Sequence, residues 1–348
     1  MQYQKTLTSH PAGHIWVRRS LLGLAVLFLA VAQIRLIHAA FPTGIQAHIA
    51  ASEGVVDGLP HWRLFQSRVL GPYLVRAATV AGLPLERAYA LMMFVWLALF
   101  FAVVIAAGID LWGSSLAAVA AAGSAALLNA VLMQDEWLYP WDFIDLIVFA
   151  ALTWAVLGRK PLAVIAGLIA IEIFNRESAT IIAGWLALDG LLGLVWKNAS
   201  TAERASARRR LATGVLLGAV SVATIEMLRA TLLIREIGYE IFPEAAGPGA
   251  FLGFKLGFNV YELKRWLLTQ PNLMLPYGIL VAAIPVIGVL GLASRDPGAR
   301  RISLLFLVLW LFTILFGVVY ETRVWLAFVP FVVLATPVIV GARRRGPT

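Results

Sequence analysis

Cysteine is absent from the chain. Disulfides, thiolate metal sites and cysteine nucleophiles are excluded with it. Charge is scarce as well. Only 14% of the 348 residues are Asp, Glu, Lys or Arg, against 61% hydrophobic, where a soluble domain carries about 25% charged and about 45–50% apolar residues. No glycine-rich phosphate loop follows a strand pattern, no His-Glu-x-x-His occurs, the five histidines are scattered, and no Gly-x-Ser-x-Gly turn is present. No nucleic-acid module accompanies the formal charge of +9. That charge therefore reads as loop charge at a membrane, not as a nucleic-acid footprint.

What the chain does have is long apolar runs without strand alternation. They occur at Ser20–Ala40, Ala88–Ala107, Leu116–Leu132, Phe143–Leu157, Leu162–Phe174, Ala179–Trp196, Leu211–Leu233, Leu275–Leu292, Ser303–Val319 and Val324–Val340. The expected fold is all-α: a polytopic bundle of about ten spans forming one transmembrane domain over 1–348, because a span must satisfy its own backbone hydrogen bonds. A β-barrel is disfavoured. The first run reads as a retained span and not as a cleaved signal, since no small-residue cleavage site follows it.

Lysine and arginine set the expected orientation. Five basic clusters stand out: Lys5 with Arg18 and Arg19; Arg159 and Lys160; Lys197 with Arg204 and Arg208 to Arg210; Arg295 with Arg300 and Arg301; and Arg343 to Arg345. Four, two, two and two runs separate consecutive clusters. All five can thus lie in the cytoplasm, with both termini, of a bacterial inner membrane. Segment 41–87 then lies outside. Its run Val69–Leu83, interrupted by Gly71 and Pro72, reads as a juxtamembrane or re-entrant helix. The second outer segment, 234–273, is rich in aromatic residues (Tyr239, Phe242, Phe251, Phe254, Phe258, Tyr261, Trp266) and reads as a folded, membrane-hugging loop.

This topology gathers the unusual polar motifs on the outer side: His61-Trp62-Arg63, Arg68, Asp135-Glu136 through Asp142 and Asp145, Glu172, Asn175-Arg176-Glu177, and Glu321 with Arg323. Ionisable groups at membrane depth need partners or a wet cavity. Asp142 and Asp145, three apart at the start of a run, share a helix face. Such a pair could supply a general acid or base or bind a divalent cation; Asp142 could equally serve the helix dipole. Arg176 has the planar fork that suits phosphate, with Glu177 to orient it or act as base. Ser178 could cap the helix that follows. Arg68 reads either as a snorkelling anchor or as a contact to a lipid phosphate. Glu321 and Arg323 share one side only if their turn is extended. Asp110 falls in an inner loop, and Asp189, Glu226 and Arg229 read as structural pairs, the last two with each other.

The layout resembles the GT-C class of membrane glycosyltransferases. The run Phe65-Gln66-Ser67-Arg68-Val69-Leu70-Gly71-Pro72-Tyr73-Leu74 is similar to Arg-x-x-x-Pro-Leu segments of that class's first outer loop. The stretch from Tyr139 to Ser178, ending Asn-Arg-Glu-Ser, and Glu-x-Arg at Glu321 belong to the same likeness. The resemblance implies a bundle of eight to thirteen spans with juxtamembrane helices in the first outer loop. It also implies hexosyl or pentosyl transfer from a polyprenyl-phosphate-linked donor to a glycan or lipid acceptor at the outer face. Asp142, Asp135, Glu136 and Glu177 would be the catalytic carboxylates; Arg68, Asn175, Arg176, Asp145, Glu321 and Arg323 would hold substrate and phosphate. One departure stands out. The class places an acid directly after the first span, where this chain has Phe41-Pro42-Thr43-Gly44-Ile45, and its first acids are Glu53 and Asp57. Other readings are a lipid-linked oligosaccharide flippase, which predicts internal pseudo-symmetry, a polysaccharide polymerase or ligase, and a scaffold subunit, which would leave the outer charges paired with one another.

Overall fold

The computed structural model describes residues 12–40, 44–133, 138–195, 200–235, 254–269, 271–319 and 321–344. These residues are all-helical. Eight helices are long and apolar enough to cross a membrane, and two shorter apolar ones, Leu162–Ile173 and Tyr277–Leu292, supply the remaining two of the ten expected runs. The protein is a multi-pass membrane protein.

The helices are α1 (Ala12–Ala40), α2 (Gly44–Val56), α3 (Leu70–Val80), α4 (Leu85–Trp112), α5 (Ser115–Leu132), α6 (Pro140–Leu157), α7 (Leu162–Ile173), α8 (Ser178–Val195), α9 (Thr201–Leu232), α10 (Leu256–Thr269), α11 (Pro271–Leu292), α12 (Pro297–Phe316) and α13 (Val329–Arg344). Two 3₁₀ segments, Arg63–Ser67 and Thr322–Phe328, precede α3 and α13. The ends follow local chemistry. Pro140 opens α6, where its missing N–H costs nothing. Ser200 and Glu203 cap α9 reciprocally. Asp296 accepts from Ala299 N–H ahead of Pro297 in α12. Gly113 ends α4 in the left-handed region at φ 69°.

The first loop holds α2, the 3₁₀ segment and α3. At 11 residues α3 is too short to span. Gly71 and Pro72 do not interrupt it; they form its first turn, where proline is tolerated. Gly71 is required there for another reason: an added Cβ would lie 2.6 Å from the Pro140 Cβ, so α3 rests directly on the start of α6. In the second long segment the described residues are 234–235, 254–269 and 271–273, and α10 lies wholly among them. Asn259 fixes it by donating to the Ile314 and Gly317 carbonyls and accepting from Val319 N–H. Tyr239, Phe242 and Phe251 lie outside the described residues.

Helix α6 is the centre of the bundle. Over four-fifths of its span is buried, packed through Phe143, Phe149 and Leu152 among α4, α12 and α13. Its interior therefore meets protein, whereas α1 exposes Leu21, Leu24 and Phe28. Helices α8 and α9 cross at backbone distance. A Cβ on Gly190 would meet Leu211 N at 2.4 Å, and one on Gly214 would meet Ala187 N at 2.4 Å. Such small-residue crossings are how membrane helices gain close packing. This one brings the start of α8 and the last turns of α9 to the same end as the start of α6.

Candidate functional site

At that end, side chains from five segments form two adjacent ion-pair sets, one around Asp142 and one around Glu177. Asp142 sits in the first turn of α6, where its Oδ2 accepts from Tyr139 N–H at 2.9 Å. It also takes Arg176 Nη1 at 3.1 Å and Arg323 Nη1 at 3.4 Å. One turn on, Asp145 accepts from Arg176 Nη1 at 2.6 Å and from Asn175 Nδ2 at 2.9 Å. Asn175 also donates to the Trp141 carbonyl and to Glu172 Oε2, each at 3.2 Å. The α7–α8 turn is thereby pinned onto the start of α6.

Glu177, in the same turn, faces the other way. It accepts from Arg229 Nη2 at 2.7 Å, from Arg68 Nη2 at 3.1 Å and from the Ser67 hydroxyl at 3.2 Å. Arg323 Nη2 holds Glu321 Oε2 at 2.6 Å, and its guanidinium lies 4.8 Å from the Tyr139 ring centroid. Arg68 lies 5.2 Å from the Trp141 ring and 4.9 Å from that of Phe65. Tyr139 and Trp141 stack at 4.6 Å. The extended backbone at Glu321, just before the 3₁₀ segment, lets residues two apart share a side.

The electrostatics follow from burial and charge placement. Burial opposes a charge on Glu177, but Arg68 and Arg229 outweigh it and hold the carboxyl below its ordinary range. Burial also opposes Arg176, and Asp145 with Asp142 outweighs it, so that guanidinium is held above its ordinary value. Arg68 is different. Burial pulls it below its ordinary value and neighbouring Arg176 and Arg323 add to the pull, against Glu177. The two ends of the Arg68–Glu177 pair differ because burial prevails at Arg68, with like charges adding to it, whereas two arginines outweigh burial at Glu177.

Of the expected site residues, Asp142, Asp145, Asn175, Arg176, Glu177, Arg68, Glu321 and Arg323 come together. Asp135 and Glu136 lie outside the described residues. Arg68 is not a snorkelling anchor, since it is 7% exposed and paired. Asp142 sits at the helix start, as one of its expected readings had it, and is also ion-paired to Arg176 and Arg323. Ser178 turns its hydroxyl to Glu172 Oε1 at 2.5 Å. Among the described residues no three acidic or histidine side chains form a metal-ligand group.

Arg229 is the addition. It does pair with Glu226 at 2.8 Å as the spacing predicts, but it also reaches Glu177 and so belongs to the site. The parity of crossings puts the end of α9 only on the same side as the α7–α8 turn; the packing of α8 on α9 brings the two together. Asp189 and Asp110 lie at the opposite end. Asp189 takes Arg210 at 2.7 Å and Arg301 at 2.8 Å. Asp110, in the last turn of α4 and not in a loop, takes Lys160 and Trp154 at 2.7 Å each.

Fold and site together define a polytopic helical membrane protein with a buried arginine–carboxylate cluster at one end of its bundle. Comparison with protein-family models, curated proteins and solved structures finds no match.

Proposed function

We propose that the protein is a membrane glycosyltransferase. It would move a sugar from a polyprenyl-phosphate carrier to a glycan or lipid acceptor at the non-cytoplasmic face of a bacterial inner membrane. The observation that supports this is the convergence of Arg68, Arg176 and Arg323, from three separate segments, within reach of one another's charge around Asp142. Gathering like charges away from water is costly. A phosphate among them would relieve that cost, and arginine's fork suits its oxygens. Arg68 Nε and Arg323 Nε are buried donors without a partner among the described residues.

The carboxylates divide by engagement. Asp142 and Glu177 are held through both oxygens by arginines and N–H or O–H donors, so they anchor the cations. Glu177, held below its ordinary range, is also a poor base. Glu321 contacts Arg323 through Oε2, and its side chain is 24% exposed. We assign it the base. It takes the proton of the acceptor hydroxyl as that oxygen bonds to the anomeric carbon. The bond from that carbon to the phosphate oxygen breaks, its electron pair stays on the phosphate, and the arginines meet the charge that develops.

A second reading, a scaffold subunit, is favoured by the pairing of the buried carboxylates with arginines. Both are tested by sugar transfer from a labelled polyprenyl-phosphate hexose in proteoliposomes. The enzyme reading expects transfer by the wild type and its loss in Glu321→Gln. No transfer by the wild type, or full activity in every carboxylate variant, would falsify the enzyme reading and leave the scaffold.

A further inference from the structure

The first loop carries a small surface cleft apart from the ion-pair sets. Ser52, Glu53 and Asp57 of α2 line it together with Arg76 of α3, and Val56 and Val75 add apolar lining. Because α3 rests on the start of α6, the cleft lies at the end of the bundle that holds those sets. Glu53, Asp57 and Arg76 are exposed, and among the described residues none of their side chains forms a salt bridge or hydrogen bond. Glu53 and Asp57 are one turn apart and share a helix face, where like charges repel. Arg76 lines the same cleft without closing on either carboxylate.

Ser52 supplies a second, independent observation. It is 2% exposed, and its hydroxyl has no hydrogen-bond partner among the described residues. A hydroxyl inside a helix commonly donates to the carbonyl one turn back, as Thr153, Ser221 and Thr313 do in this protein. Ser52 lies inside α2 and does not. A buried polar group left without a partner calls for a physical cause, and this one lines a cleft.

Charge, hydrogen bonding and size together select the ligand. Two carboxylates against one guanidinium favour a cationic group. The guanidinium in the same lining disfavours a bare metal ion, and among the described residues no third acidic or histidine side chain joins the carboxylates. A primary ammonium has three donors and no acceptor, and Glu53, Asp57 and the Ser52 hydroxyl are acceptors for all of them. Arg76 is left for an anion on the same molecule, and its fork suits phosphate. The free volume of about 40 Å³ holds a few water-sized groups, which suits an ammonium better than a trimethylated nitrogen or a sugar ring. Helix α3 is too short to span and exposes Tyr73, Leu74 and Val80, so it meets a bilayer along its side, at the level of the head groups. We infer that the cleft binds a primary-ammonium phospholipid head group, phosphoethanolamine, with the ammonium on Glu53, Asp57 and Ser52 and the phosphate on Arg76. The inference is independent of the transferase reading and gives the first loop a lipid contact of its own.

The test is native mass spectrometry of the full chain in detergent, titrated with short-chain phosphatidylethanolamine, short-chain phosphatidylcholine and soluble phosphoethanolamine. Wild type is expected to take a single phosphatidylethanolamine at least about tenfold more tightly than phosphatidylcholine. Glu53→Gln combined with Asp57→Asn should abolish that preference. Ser52→Ala should cut it by roughly threefold, and Arg76→Gln should weaken phosphatidylethanolamine by about fivefold. Melting temperatures should hold, because the altered side chains bond to no protein group. Equal binding of the two lipids by wild type overturns the inference. So does a preference that survives in the double variant or, should that variant fail to fold, one left intact in Ser52→Ala. Soluble phosphoethanolamine bound as tightly as the lipid would keep the ammonium–phosphate site and overturn the lipid as its source.

Discussion

Arg229 and Glu177 meet at 2.7 Å although 52 residues separate them. This pair is the tie between α9 and the α7–α8 turn, and it is buried, with Arg229 3% exposed. Removing one member of a buried pair strands the other's charge. Arg229→Met should therefore destabilise the protein by about 3 kcal/mol or more. Adding Glu177→Gln should not restore stability, because it leaves buried Arg68 without its carboxylate partner in turn. Reversible unfolding in mixed micelles, run as a double-mutant cycle, measures both.

Glu177 also sets a pH dependence. Its folded carboxyl is held below the ordinary value of 4.5 by Arg68 and Arg229, against burial. The folded state thus binds its proton less readily than the unfolded chain. The resulting stability is fully present above the ordinary glutamate range and is lost as pH falls through the lower folded value. Unfolding measured from pH 6 downward should show a decline below about pH 4.5 that is shallower in Glu177→Gln. Equal slopes would contradict the assignment.

The crossing of α8 and α9 depends on having no side chain at Gly190 and Gly214, where a Cβ would stand 2.4 Å from backbone nitrogen. Gly214→Val should separate the helices and lower stability by more than about 2 kcal/mol. Gly184 and Gly123, which face open space, should accept alanine with little change. Melting temperatures of the purified variants compare the two classes.

Position and chemistry should separate at the two ends of the bundle. Asp189→Asn removes the carboxylate that Arg210 and Arg301 share. It should cost about 3 kcal/mol of stability while kcat of the folded fraction holds. Glu321→Gln should do the reverse, lowering kcat by at least about 100-fold with a small change in melting. A matched fall in kcat for both would argue against Glu321 as base.

The bundle was legible because lipid imposes a coarse rule on composition. Each of the ten expected runs falls on a helix, and the largest departures are polar extensions at helix starts: α1 begins eight residues early at Ala12, α12 six early at Pro297, and α9 ten early at Thr201, where its basic end is helical yet polar. The site's members were legible because charge is rare in such a chain, so Asp142, Arg176 and Arg323 each stood out. Their pairings were not. Glu226 and Arg229 satisfy an i, i+3 rule that hid the long-range partner, and Arg68 carries no local sign that distinguishes burial from snorkelling.

The separations along the chain also impose an order on synthesis. Asp142 and Asp145 meet Arg176 after only 34 and 31 residues, so the hairpin of α6 and α7 can neutralise them as soon as it inserts. Arg323 arrives 181 residues after Asp142. Until the segment Thr322–Phe328 is made, the growing chain holds a neutralised acidic pair but lacks Arg323. A nascent chain stalled before that segment would be folded in outline, with Asp142 short of one of its two arginines.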